Sequence, residues 1–215
     1  MPDDADATFL SHGGALGERG GNSRWHHAPV LHTAQDAPRA VGWLEILFDL
    51  GVASSVVLAT AELQADTPAR TAAVVFACLW SLWAAWSTFT AFSNRFRLDD
   101  VPHRAVLLVV VLAVGGMGLS VREACADQVA AFAISAALAF GGLAISHVRV
   151  AAQCAHARRA GRMQAMALSG VSAAFAATAV LPSVAAAAVW AVALVALAAG
   201  GGLPVVRDLD AAYPR

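Results

Sequence analysis

Apolar residues run along this chain in blocks of about twenty, separated by charged residues, prolines and glycines. The blocks fall at about 43–63, 71–94, 105–121, 128–148, 163–181 and 183–203. A hydrocarbon core about 30 Å thick is crossed by roughly 20 helical residues. The pattern therefore predicts an all-α, polytopic membrane bundle of about six transmembrane helices. Only Pro182 and Ser183 separate the last two blocks. A single helix through both would measure about 60 Å, twice the membrane, so Pro182 predicts a tight hairpin.

The segment before Trp43 differs in kind. It holds Asp3, Asp4 and Asp6, the Gly-rich run SHGGALGERGGNS, and Pro29 and Pro38. Residues 1–40 are expected to be a disordered cytoplasmic tail, 41–204 the six-helix domain and 205–215 a short cytoplasmic tail. With no basic start leading into a short apolar core, the tail is not read as a cleavable signal, and the first helix serves as the uncleaved insertion signal. His26, His27 and His32 have no Cys or carboxylate at metal-ligand spacing and are read as solvated. No metal and no cofactor is predicted.

Composition agrees with the pattern: 59% of residues are hydrophobic and 13% charged, against about a quarter charged in soluble domains. All 14 basic residues are arginines. With the abundance of Ala, that suggests a GC-rich bacterial genome. On the six-helix reading, Arg70 and Arg122 fall on one side and the other twelve on the opposite side. Cytoplasmic loops retain positive charge, so the expectation is N-in/C-in within a bacterial inner membrane. Cys78, Cys125 and Cys154 fall at three different depths, and no disulfide is predicted.

Against this background the acids of WLEILFDLGVA stand out. Glu45 and Asp49 are four residues apart in the first two turns of helix one, on one face. Carboxylates at membrane depth cost a few kcal/mol each and need a partner, a proton or water. The natural guanidinium partners are Arg95 and Arg104, which flank the inner loop. Asp99 and Asp100 in that loop are read as a solvated turn capping helix three, with Pro102 in its first turn. Glu62 is read as a helix-end residue at the outer interface.

These residues also carry a resemblance. WLEILFDLGVA, the Trp-rich WSLWAAWSTFTAFSNRF and then LDDVPHR together resemble the bacterial low temperature requirement protein A family. The first-helix signature falls on Leu44, Glu45, Phe48, Asp49 and Leu50, and the inner-loop element on Arg95, Phe96, Asp99 and Asp100, with Arg104 following. The resemblance is specific over about 40–120 and compositional beyond. It implies a bacterial multi-pass membrane protein similar to a half-length member, since longer relatives carry a second set of helices. An activity needing both halves would then require a homo-oligomer. The family's name refers to a growth phenotype and implies no molecular activity.

Function is thus read from the acids. Two carboxylates on one helix face tend to share a proton, so Glu45 and Asp49 are expected to form a proton- or cation-linked site in a transporter-like module. The alternative is a purely structural salt-bridge cluster with Arg95 and Arg104, in a non-transporting or sensory protein. Trp80, Trp83 and Trp86 are expected to pack in the core or, second, to line a pocket. Trp83, Trp86, Ser87, Thr90 and Asn94 are the pocket-lining candidates near the depth of the acids. Gly115, Gly116 and Gly118, with Gly141 and Gly142, predict close helix packing, and Gly200, Gly201 and Gly202 mark the end of helix six. His147 and His156 are read as part of a basic inner surface patch. No nucleophile elbow, paired-His zinc motif or P-loop occurs, so an enzyme is disfavoured. The expected partners are the lipid bilayer, a small ion or unidentified small molecule and a second copy, with no nucleic acid.

Overall fold

The computed structural model of the chain describes residues 30–31, 42–97, 100–155 and 157–199. Its helices are α1 (Trp43–Thr60), α2 (Ala69–Arg95), α3 (Val101–Leu119), the short α4 (Val121–Cys125), α5 (Ala130–Gln153), α6 (Arg158–Ala177) and α7 (Ser183–Leu197). A 3-10 turn at Thr178–Val180 ends α6, and the chain reverses through extended Leu181 and Pro182 into α7, the expected hairpin. Two short strands, β1 (Val30–Leu31) and β2 (Phe96–Arg97), pair antiparallel. Val30 and Leu31 lie within the segment expected to be disordered, and their pairing holds these two residues against Phe96 and Arg97 at the end of α2.

Among the described residues five helices are long and apolar enough to cross a membrane: α1, α2, α3, α5, and α6 continued to Val180. At the position of the sixth expected span lies α7, an apolar helix of 15 residues, about 22 Å long and so shorter than the hydrocarbon core. The short α4 was not anticipated. α3 begins at Val101, earlier than hydropathy placed it, because Asp100 accepts the backbone N–H of His103 and Pro102 sits in the first turn.

The six long elements close into a ring in which α1 packs on α3, α3 on α5, α5 on α6, α6 on α7, α7 on α2 and α2 on α1. Its core is aromatic in the half built by α5, α6 and α7. There Phe140 stacks on Phe175, Phe175 on Trp190, and the Trp190 indole N–H donates to Thr178. Between α1 and α3 the backbones approach closely at Gly118, where an added Cβ would lie 2.7 Å from the Cα of Ser55. The Ser55 hydroxyl bonds across to the Val114 carbonyl at 3.0 Å. Outward faces are apolar as well: Leu112 is 75% exposed, and Leu50, Val57, Phe76 and Val192 also point outward. Soluble monomers rarely expose contiguous apolar surface of this kind, whereas lipid solvates it and the helices satisfy their own backbone groups.

Candidate functional site at the arginine-rich end

α2 separates two polar settings. Residues 80, 84, 87, 88, 91 and 95 recur at helical spacing and share one face, while Trp86 and Phe89 look the other way, toward α1. On the α1 side, the Phe48 and Phe89 rings meet with centroids 4.2 Å apart. One turn away the Trp86 indole N–H donates to an Asp49 carboxylate oxygen at 2.9 Å. Asp49 is exposed on the bundle surface and Glu45 is half-buried in the first turn of α1. Among the described residues no guanidinium contacts Asp49, so its partner is a neutral donor.

The acid that does take a guanidinium is Asp100. Arg149 of α5 donates Nη1 to Oδ1 at 3.0 Å and Nη2 to Oδ2 at 2.5 Å, a bidentate pair. The Asp100 side chain is 0% exposed and that of Arg149 16%. The same carboxylate caps α3 by accepting the His103 N–H at 3.0 Å. The expected solvated turn is therefore corrected at Asp100: its capping role holds, but it is buried beneath α5. Nearby, Phe92 contacts the rings of Phe96, His103 and His147, with centroids 5.3, 5.8 and 4.9 Å apart.

On the far face of α2 a cavity of about 320 Å³ opens among α2, α5, α6 and α7. Trp80 and Trp83 form its aromatic wall, Ser87 and Thr88 supply hydroxyls, and Arg95, His147 and Gln164 supply nitrogen groups. Of the pocket-lining candidates, Trp83 and Ser87 line this cavity, and Trp86, Thr90 and Asn94 are not among its described lining residues. The pocket lies across α2 from the acids because its lining positions Ala84, Thr88, Ala91 and Arg95 cluster on the side of the helix away from Trp86 and Phe89. Trp83 is 59% exposed and Trp86 37%, which corrects the expectation of core packing for both.

The family model described as bacterial low temperature requirement A protein (LtrA) matches residues 40–212. The chain belongs to the LtrA family. It is, accordingly, a bacterial multi-pass membrane protein. The match runs well past residue 120, where the recognisable motifs stop, and so takes in α5 to α7. No curated protein and no solved structure matches the chain.

In this LtrA chain the candidate residues divide between settings. Glu45 and Asp49 stay together on α1, Arg95 faces the cavity across α2, and Arg104 is exposed near the start of α3. Arg95 makes no ion pair with either acid, so that half of the expected cluster is corrected. Asp99 and His156 lie outside the described residues, as do the tail histidines and Gly200 to Gly202. His147, read as part of a surface patch, is buried, with its Nδ1 at 2.9 Å from the Leu143 carbonyl. Sequence reasoning missed Arg149 as an ion-pair partner. Its only signal was an arginine among apolar residues at the end of a span.

The opposite end of the LtrA bundle carries its own polar cluster. Asp127, at φ 67°, turns the α4–α5 connection. Its carboxylate accepts the Ser183 backbone N–H at 2.9 Å and pairs with Arg70, capping α7 from a different loop. The Arg70 guanidinium and the Ser183 donors hold the Asp127 carboxyl well below the usual carboxylate range. In the adjacent α4, burial pushes the Cys125 thiol up, and the Glu62 carboxylate adds to the effect. Among the described residues no three of His, Cys, Asp or Glu converge as a metal site requires.

Proposed function

We propose that this LtrA protein is a proton- or cation-linked, transporter-like module of the bacterial inner membrane, N-in/C-in, in which Asp49 with Glu45 is the ion-binding element. The observation that carries the reading is the Asp49–Trp86 hydrogen bond. Asp49 sits about 9 Å along α1 from Trp43, and its one described partner is a neutral indole. An indole N–H orients a carboxylate without cancelling its charge, so a proton or small cation completes the site. The Ser/Thr-bearing inner half of α2 and the exposed position of Asp49 also fit a site that a second copy helps to enclose. We read the protein as non-enzymatic.

The test is uptake into proteoliposomes, with a pH-sensitive dye for protons and radiolabelled sodium for cations. Asp49→Asn should abolish uptake while leaving helicity and melting temperature intact, and Trp86→Phe should reduce it several-fold. Undiminished uptake by Asp49→Asn, or none by the native chain, defeats the proposal. The rival reading, a structural or sensory protein, draws on the buried Asp100–Arg149 pair, an acid spent wholly on packing. It predicts that Asp49→Asn alters stability alone.

A further inference from the structure

The cavity on the far side of α2 plays no part in the reading of Asp49. We infer that it binds an organic anion: one negatively charged head on a flat or chain-like apolar body. Its charge points that way first, since among the described residues Arg95 is its one obligate cation and no acid lines it. Among the described residues Arg95 has no ion-pair partner. A guanidinium at the edge of an apolar chamber, with its fork unfilled, matches a carboxylate or phosphate.

Three further features converge. The first turn of α6, which borders the cavity at Ala160 and Gly161, has no side-chain cap, so its N–H groups add partial positive charge. Among the described residues the buried Gln164 side-chain oxygen has no hydrogen-bond partner. Which end of that amide faces inward is interchangeable at the level of shape, and a polar head would supply the missing partner. The remaining wall is apolar or aromatic, through Trp80, Trp83 and Leu194, and suits the body of an amphiphile. At about 320 Å³ the chamber holds an aryl or short alkyl group. Such an anion arrives either from solution or as the head region of an anionic lipid.

The tryptophans in the wall provide the readout, because bromine quenches indole fluorescence on contact. The full chain in phosphatidylcholine nanodiscs is titrated with 4-bromobenzoate and with its neutral counterpart 4-bromobenzyl alcohol. In a parallel arm the discs contain brominated phosphatidylglycerol or brominated phosphatidylcholine. The expected result is saturable quenching by the carboxylate and not the alcohol, weakened at least about tenfold by Arg95→Gln and largely restored by Arg95→Lys. Asp49→Asn should bind normally, which separates this site from the α1 acids. If bromobenzoate fails but brominated phosphatidylglycerol quenches beyond brominated phosphatidylcholine in an Arg95-dependent way, the anion is a lipid. Equal quenching by acid and alcohol, or charge-selective quenching in neither arm, overturns the inference. Should Arg95→Gln not fold, the acid-against-alcohol comparison on the native chain and Arg95→Lys decides.

Discussion

Asp100 and Asp127 do the same two things at opposite ends of the bundle. Each accepts a backbone N–H at the start of a helix, α3 or α7, and each binds a guanidinium, Arg149 or Arg70. They differ in surroundings. The Asp100 side chain is fully enclosed and caps its own helix, whereas Asp127 is 45% exposed and caps a helix 56 residues away. Identical bonding therefore has different consequences. An enclosed pair whose partner is removed leaves a bare charge out of water, while an exposed pair trades its partner for solvent and counterions.

The largest effect expected is from Arg149→Gln, which should lower stability by about 3–5 kcal/mol, read as a fall in melting temperature in detergent. Replacing both partners, Asp100→Ser with Arg149→Met, should recover most of the loss, since it removes both charges and keeps a capping oxygen. A double variant no better than Arg149→Gln would mean that the pair contributes more than mutual neutralisation. Gly118→Ala comes next, at about 1–3 kcal/mol from overpacking against Ser55. It serves as the uncharged reference, with a cost that should not vary with salt or acidity.

Smallest is Asp127→Asn, which keeps an acceptor for Ser183 and loses the attraction to Arg70. Its deficit should vanish at about 1 M salt, where screening reaches 3 Å, while that of Arg149→Gln persists. Its pH dependence has a fixed sign. Because the folded carboxyl titrates below its unfolded value of about 3.9, its contribution is complete above that range and is lost as pH falls through the folded value. Melting curves of native and Asp127→Asn protein should thus converge in acid. Divergence there would mean that Arg70 acts on something other than Asp127.

Much of the architecture was readable from one dimension. Span positions, the reversal at Pro182, the capped start of α3 and the gathering of Arg95, Arg104, Arg149 and Arg158 near the same helix ends follow from hydropathy, proline chemistry and charge placement. What escaped depends on which helix neighbours which. Asp100 and Arg149 are 49 residues apart, and no periodicity says that α3 lies beside α5 and not beside α2. A shared inner side instead suggested Arg95 as a partner for the α1 acids, yet Arg95 faces the cavity on the other side of α2. The tryptophans failed for a related reason. Three residues of one type at spacings of three read as a stripe, yet Trp86 turns to α1 while Trp83 borders the cavity. The α4–α5 connection was invisible because its organising residue, Asp127, acts through a left-handed backbone and a remote helix.

The closure of the ring by α7 against α2 sets an order for biogenesis. Arg70 and Ser183, which meet at that seam, are 113 residues apart, so the flank of α2 is complete long before its neighbour leaves the ribosome. During that interval the serine- and tryptophan-bearing side of α2 faces lipid or an insertion chaperone. A nascent chain stalled ahead of residue 183 therefore lacks the helix that covers that flank in the finished bundle.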